Sequence, residues 1–261
     1  MVGAPHAAPL QFRQLGFAEV DVIGQWLVLG GAAFLASTLA AVAGFGGAAV
    51  LLPALAAAFG VRQAIPILTV AQLVGNGSRV WFNRRELDLR VVNWFSLGAV
   101  PLALAGGVLF ATAPLGVLKR VIGAFLLCMV AWRRVRRGPP WRPGVRAFAL
   151  IGAGFSFLSA LVGSVGPLMA PFFLAYGLVK GAYIGTEALA TVVMHVMKLV
   201  AYQGAAILTP GAVAVGLALG PIMVGGSYVG KRILDRLPEQ VFVGIIELVL
   251  LGAGIWFLMG R

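Results

Sequence analysis

Residues 22–61 read VIGQWLVLGGAAFLASTLAAVAGFGGAAVLLPALAAAFGV, forty residues without Asp, Glu, Lys or Arg. As one helix the stretch would reach about 60 Å, twice the ~30 Å hydrocarbon core of a bilayer. It therefore has to break, and Gly44-Phe45-Gly46-Gly47 is the place where it can. Two further charge-free runs behave alike. Ala147–Val179 has 33 residues and is interrupted by Gly163-Ser164-Val165-Gly166-Pro167. Leu199–Gly230 has 32 and is interrupted near Gly204–Pro210.

Composition agrees with a chain that lives in lipid. Hydrophobic residues make up 61% of the 261, and 36 glycines raise the apolar share to about three quarters, against about 45–50% in a soluble domain. Charged residues are 11%, where about 25% is usual. No water-soluble fold of this size has enough interior to hide that much apolar side chain. The segments have helix length rather than strand alternation, so an all-α polytopic membrane protein is expected.

The charge-free runs predict about ten membrane segments, roughly 22–43, 48–60, 64–82, 91–111, 115–132, 147–162, 167–178, 182–203, 210–230 and 238–259. Two of them, 48–60 and 167–178, are too short to cross fully, and each follows a glycine-rich break. The net charge of +12 does not point to nucleic acid, because the bases cluster in short connections between spans. If the 133–146 linker is cytoplasmic, its side holds Arg84, Arg85, Arg90, Arg133, Arg134, Arg136, Arg137, Arg142, Arg146, Lys180, Lys231, Arg232 and Arg236. The other side holds only Arg13, Arg62, Lys119, Arg120 and Arg261. That bias puts both termini outside the cytoplasm. Residues 1–21 lack the apolar core of a signal peptide and form an extracytoplasmic or interfacial segment. The single Cys128 allows no internal disulfide.

Residues 22–132 and 147–259 look like two copies of one design. Gly44 and Gly163, Gly47 and Gly166, Asn76 and His195, and Arg79 and Lys198 are each 119 residues apart. Five segments per copy is an odd number, so the second copy enters the bilayer from the opposite face. This predicts two inverted-topology repeats joined by the basic 133–146 linker, an architecture of secondary transporters. Chance likeness between glycine-rich helices is the competing explanation.

Each break predicts a helix start inside the membrane, with bare N–H donors and the positive end of the helix dipole. The donors at Gly46, Gly47 and Ala48, and at Gly166–Leu168, could hold an anion, with Gly163 and Gly166 permitting close approach. A tight helix crossing would use the same small residues. Polar stripes supply the second candidate. Thr69, Gln72, Asn76 and Arg79 share one helix face, as do Glu187, Thr191, His195 and Lys198. Arg79 and Lys198 either face the site or snorkel toward the interface. His195 either meets the ligand or is a packed histidine with one hydrogen bond. Gln72 and Asn76 either meet it or join helices. Glu187 either serves the site or pairs with a neighbouring base. Glu187 and His195 are the proton-coupling candidates, because histidine changes charge near neutral pH and an intramembrane carboxylate can take up a proton. Glu247, alone in the last segment, reads better as a packed acid than as a carrier.

Enzyme signatures fail. The sequence around Ser164 is not a G-x-S-x-G elbow. Two histidines and one cysteine make a poor transition-metal set. There is no Walker lysine, and no cofactor is implied.

The segment Ala43-Gly44-Phe45-Gly46-Gly47-Ala48 running to Pro53 resembles the first-repeat signature of the TauE/SafE family. Gly163-Ser164-Val165-Gly166-Pro167-Leu168-Met169-Ala170-Pro171 resembles the second. The likeness extends over about 22–259. It implies a transporter of sulfite, thiosulfate or an organosulfonate in the bacterial cytoplasmic (inner) membrane. Relatives often carry more glycine where this chain has Ser164 and Val165, which leaves Ser164 as a candidate donor to the ligand. The resemblance assigns no oligomeric state. A passive anion channel and a non-transporting membrane subunit are the other classes that fit these features.

Overall fold

The computed structural model describes residues 22–112, 114, 142–163, 165–242 and 244. Among them, eight helices have described bounds: α1 (Val22–Ala43), α2 (Gly47–Phe59), α3 (Val61–Phe82), α4 (Leu89–Thr112), α5 (Ala147–Val162), α6 (Gly166–Tyr176), α7 (Lys180–Gly204) and α8 (Pro210–Arg236); residues 239–242 are helical as well. The bounded helices coincide with eight of the ten expected segments. The segment 115–132 and most of 238–259 lie outside the described residues, as do residues 1–21, most of the basic linker and Glu247.

Both breaks form where the glycines are. Gly44, Gly46 and Gly163 have φ of 83°, 96° and 89°, a left-handed backbone that only glycine adopts readily. The half-helices that follow have 13 and 11 residues, so each spans about 17–20 Å. The main difference from the sequence reading is at the end of α8. It runs on to Arg236 rather than stopping at 230, because a charge ends a membrane span without ending a helix. Lys231 and Asp235 pair one turn apart there, at 2.6 Å.

Four helices, α1, α4, α7 and α8, are long and apolar enough to cross a membrane. Helix α3 has a comparable 22 residues but carries Gln72, Asn76 and Arg79 along its length. Large apolar side chains stand on the outer surface, including Leu150 at 80% and Leu27 at 70% exposure. Such a surface is natural against lipid tails and costly against water.

Packing links the first part of the chain to the second. Helix α4 lies on α5, and α1 on α8; α3 lies on α8, and α4 on α7; α3 and α7 lie on each other. For these six helices, exchanging α1, α3 and α4 with α5, α7 and α8 leaves the pairings unchanged. The closest crossings are made by glycine. A Cβ at Gly98 would overlap the Ala149 carbonyl of α5, and one at Gly230 would sit 2.6 Å from the Thr38 carbonyl of α1. Small residues at such sites let membrane helices approach backbone to backbone.

Two apolar cores result. One draws chiefly on α1, α2 and α3 and adds Leu219 and Met223 of α8. The other draws chiefly on α5, α6 and α7 and adds Val91, Phe95 and Ala99 of α4. Each core therefore draws mainly on three helices from one part of the chain and is completed by a long helix from the other.

Candidate functional site

The two breaks face each other. A Cβ on Gly166 would sit only 2.7 Å from Cβ of Phe45. Between them lies a cavity lined by the first break from Gly44 to Ala48 and by Gly163, Val165 and Gly166 of the second. Gln72, Asn76 and Arg79 of α3 line it as well, with Glu187, Thr191 and His195 of α7. The space a water's centre can occupy is about 40 Å³. One water needs about 10–15 Å³, so the cavity accommodates about three waters or one small oxyanion.

Arg79 does not snorkel. It is 5% exposed and makes four bonds. Its Nη1 donates to the carbonyls of Ala40 and Gly44, each at 3.0 Å, and to Glu187 Oε2 at 3.2 Å. Its Nη2 donates to Asn76 Oδ1. The guanidinium thus caps the last carbonyls of α1, where the helix dipole is negative, and ties α3 to α7. Thr191 donates to Glu187 Oε1 at 2.9 Å, so both carboxylate oxygens are used. Glu187 does pair with a neighbouring base, across 108 residues of chain.

His195 and Gln72 meet across the same helix pair, with His195 Nε2 donating to Gln72 Oε1 at 3.1 Å. The opposite ring nitrogen, Nδ1, is buried without a partner, and so is Ser227 Oγ of α8. Both residues line the cavity. A buried polar atom without a partner is costly, and two of them beside one cavity mark it as a place for a polar ligand.

Backbone donors differ between the breaks. Helix α2 has no side-chain cap, and the N–H groups of Gly46, Gly47 and Ala48 have no acceptor among the described residues. The second break offers less than its sequence suggests. Pro167 has no N–H, and the Leu168 N–H is taken by the Val165 carbonyl at 2.9 Å. Of that trio only Gly166 has a donor with no acceptor among the described residues, because the first turn of α6 tightens into an i to i+3 bond. Ser164 lies outside the described residues.

Lys198 is fully buried but does not line the cavity. Its Nζ donates to Ser159 Oγ at 3.4 Å and the Gly163 carbonyl at 3.5 Å, one layer behind the wall. Sequence reasoning missed Ser37, Ser159 and Ser227. The signal for Ser159 was present, since it sits one turn before the break glycine, as Ala40 does before Gly44. Ser227 sits in a glycine-rich run of α8 with no pattern to single it out.

A model of the family described as Sulfite exporter TauE/SafE matches residues 29–257, nearly the whole chain. No curated protein and no solved structure matches it.

Proposed function

Because the chain belongs to the TauE/SafE sulfite exporter family, we propose that it is a secondary transporter of a small sulfur-containing anion, of the sulfite, thiosulfate or organosulfonate class. The observation that carries this reading is the convergence of both helix breaks on one buried cavity whose walls hold unpaired polar atoms. The bare N–H groups of Gly46, Gly47 and Ala48 would hold the oxyanion. Gly166, Ser227 and His195 would complete its shell.

The His195 geometry supports coupling to protons. Nε2 is committed to Gln72, so Nδ1 donates to an anion only when the ring carries its second proton. Anion and proton would then arrive together. Glu187 is the other carrier candidate, since protonation would free Arg79 from it. We place the chain in the bacterial cytoplasmic membrane with both termini outside, on the arginine and lysine bias. Residues 22–132 and 147–259 would be inverted repeats. In that arrangement alternating access is a rocking motion of the two cores. Each core includes residues of a long helix from the other repeat, so the moving bodies would differ from the repeats themselves.

A thermal-shift screen of purified protein with sulfite, thiosulfate, sulfate, sulfoacetate and taurine tests the binding claim. Ligand at about 100 times Kd adds about 2.7 kcal/mol of stability, a clear rise in Tm. Saturable flux with counterflow exchange in proteoliposomes would separate a transporter from a channel. A flat response to every anion, with no flux, would sink the reading.

A further inference from the structure

The two cations of the polar stripes hold the same relation to the two breaks. Arg79 reaches Ala40 and Gly44, 39 and 35 residues earlier. Lys198 reaches Ser159 and Gly163, again 39 and 35 residues earlier. Each caps the carboxyl end of a broken helix. What differs is the counter-charge. Glu187 neutralises Arg79 at 3.2 Å. The residue 119 positions before Glu187 is Leu68, whose Cδ2 lies 3.6 Å from where a Cβ on Gly163 would stand. The second break glycine, whose carbonyl Lys198 holds, therefore has the apolar Leu68 beside it at the position that corresponds to Glu187. Among the described residues, the buried charged side chains are Arg79, Glu187 and Lys198, and Lys198 has no acidic partner.

From this asymmetry we infer that the charge that binds the anion belongs to Lys198 alone. Arg79 is a structural lock, and Leu68 is a specificity-determining residue, because its lack of charge leaves Lys198 uncompensated among the described residues. Lys198 acts from behind the wall as a positioning group, holding the second break through Gly163 and Ser159 and lending the cavity its net positive charge. A buried ammonium without a carboxylate is satisfied by an anion in the adjoining cavity. One uncompensated cation offsets one unit of the cargo's negative charge.

This rests on the anion-transporter reading, and one set of variants separates the two. The readout is the anion-dependent thermal shift in detergent, with sulfite and sulfoacetate as probes, titrated to an apparent Kd. Leu68→Glu places a carboxylate beside the second break, whose Gly163 carbonyl Lys198 holds, and should weaken binding roughly tenfold to hundredfold. Leu68→Gln has the same shape without charge and should bind within about threefold of wild type. The double variant Leu68→Glu/Glu187→Leu moves the carboxylate from one break to the other, leaves Arg79 uncompensated and should recover binding. Glu187→Gln adds a second free cation and should tighten binding. Equal affinity of Leu68→Glu and Leu68→Gln overturns the inference. If Leu68→Glu does not fold, Glu187→Gln decides, and unchanged or weaker binding there overturns it. No response from wild type instead rejects the anion reading.

Discussion

At the first break Arg79 binds the Gly44 carbonyl at 3.0 Å and a carboxylate at 3.2 Å; at the second Lys198 binds the Gly163 carbonyl at 3.5 Å and, among the described residues, no carboxylate. The backbone is nearly the same, with φ of 83° and 89° at the two glycines. The surroundings are not. Gly44 lies under the ring of Tyr183, whereas the nearest atom to a Cβ on Gly163 is 3.6 Å away. The first break is a tight, electrically neutral joint. The second is looser, and its lysine has no acidic partner among the described residues. The two breaks thus differ in role, the first serving rigidity and the second polarity.

The largest expected effect comes from removing the cations one at a time. Arg79→Met strands Glu187 in the interior, and breaking a buried pair in this way costs about 3–5 kcal/mol. Lys198→Met strands only a carbonyl and a hydroxyl, so its stability should change little while the anion response disappears. Thermal unfolding in detergent, with and without sulfite, reads both quantities. The double variant Arg79→Met/Glu187→Leu should recover most of the stability lost by the single one. If both cation variants destabilise equally, the contrast between lock and charge source fails.

A smaller difference should separate the glycines. Alanine in the left-handed region costs about 1–2 kcal/mol, and Gly163→Ala should show about that. Gly44→Ala carries the same backbone term and also drives its methyl into Tyr183, which adds about 1–3 kcal/mol of overpacking. Gly46→Ala, with φ of 96° and open space around it, should resemble Gly163→Ala. A Gly44 variant no less stable than the Gly163 variant would mean that Tyr183 yields freely.

Much of this was legible in the sequence. Charge-free runs and glycine clusters located the eight described helices, because hydrophobic span length and left-handed backbone are local properties. The stripes Gln72, Asn76, Arg79 and Glu187, Thr191, His195 were legible for the same reason, through helical periodicity. The exchange of α4 and α8 between the cores was not, since hydropathy does not say which apolar face meets which. Nor was the Arg79–Glu187 pair, in which residues 108 apart in the chain satisfy each other. The second break was over-read, because a sequence shows where N–H groups exist and not that Val165 takes the one at Leu168. Lys198 sits behind the wall rather than in it, a single layer of depth that spacing along a helix does not resolve.

The smallest predicted effect concerns α7, which caps both broken helices with tyrosines. Tyr183 OH donates to the Ala43 carbonyl at 3.3 Å, and Tyr202 OH donates to the Ala160 carbonyl at 3.0 Å. Both carbonyls belong to the last turns of their helices, where intrahelical donors run out. Removing one such bond exposes a buried acceptor and typically costs about 1 kcal/mol. Tyr202→Phe should show that loss in full. Tyr183→Phe should lose less, since its bond is longer and Ala43 lies beside the guanidinium that already serves Ala40 and Gly44. Paired unfolding measurements on the two variants decide this. A larger loss at Tyr183 would mean that the first break depends on its hydroxyl as well as on Arg79, and that the neutral joint is less self-sufficient than the ion pair suggests.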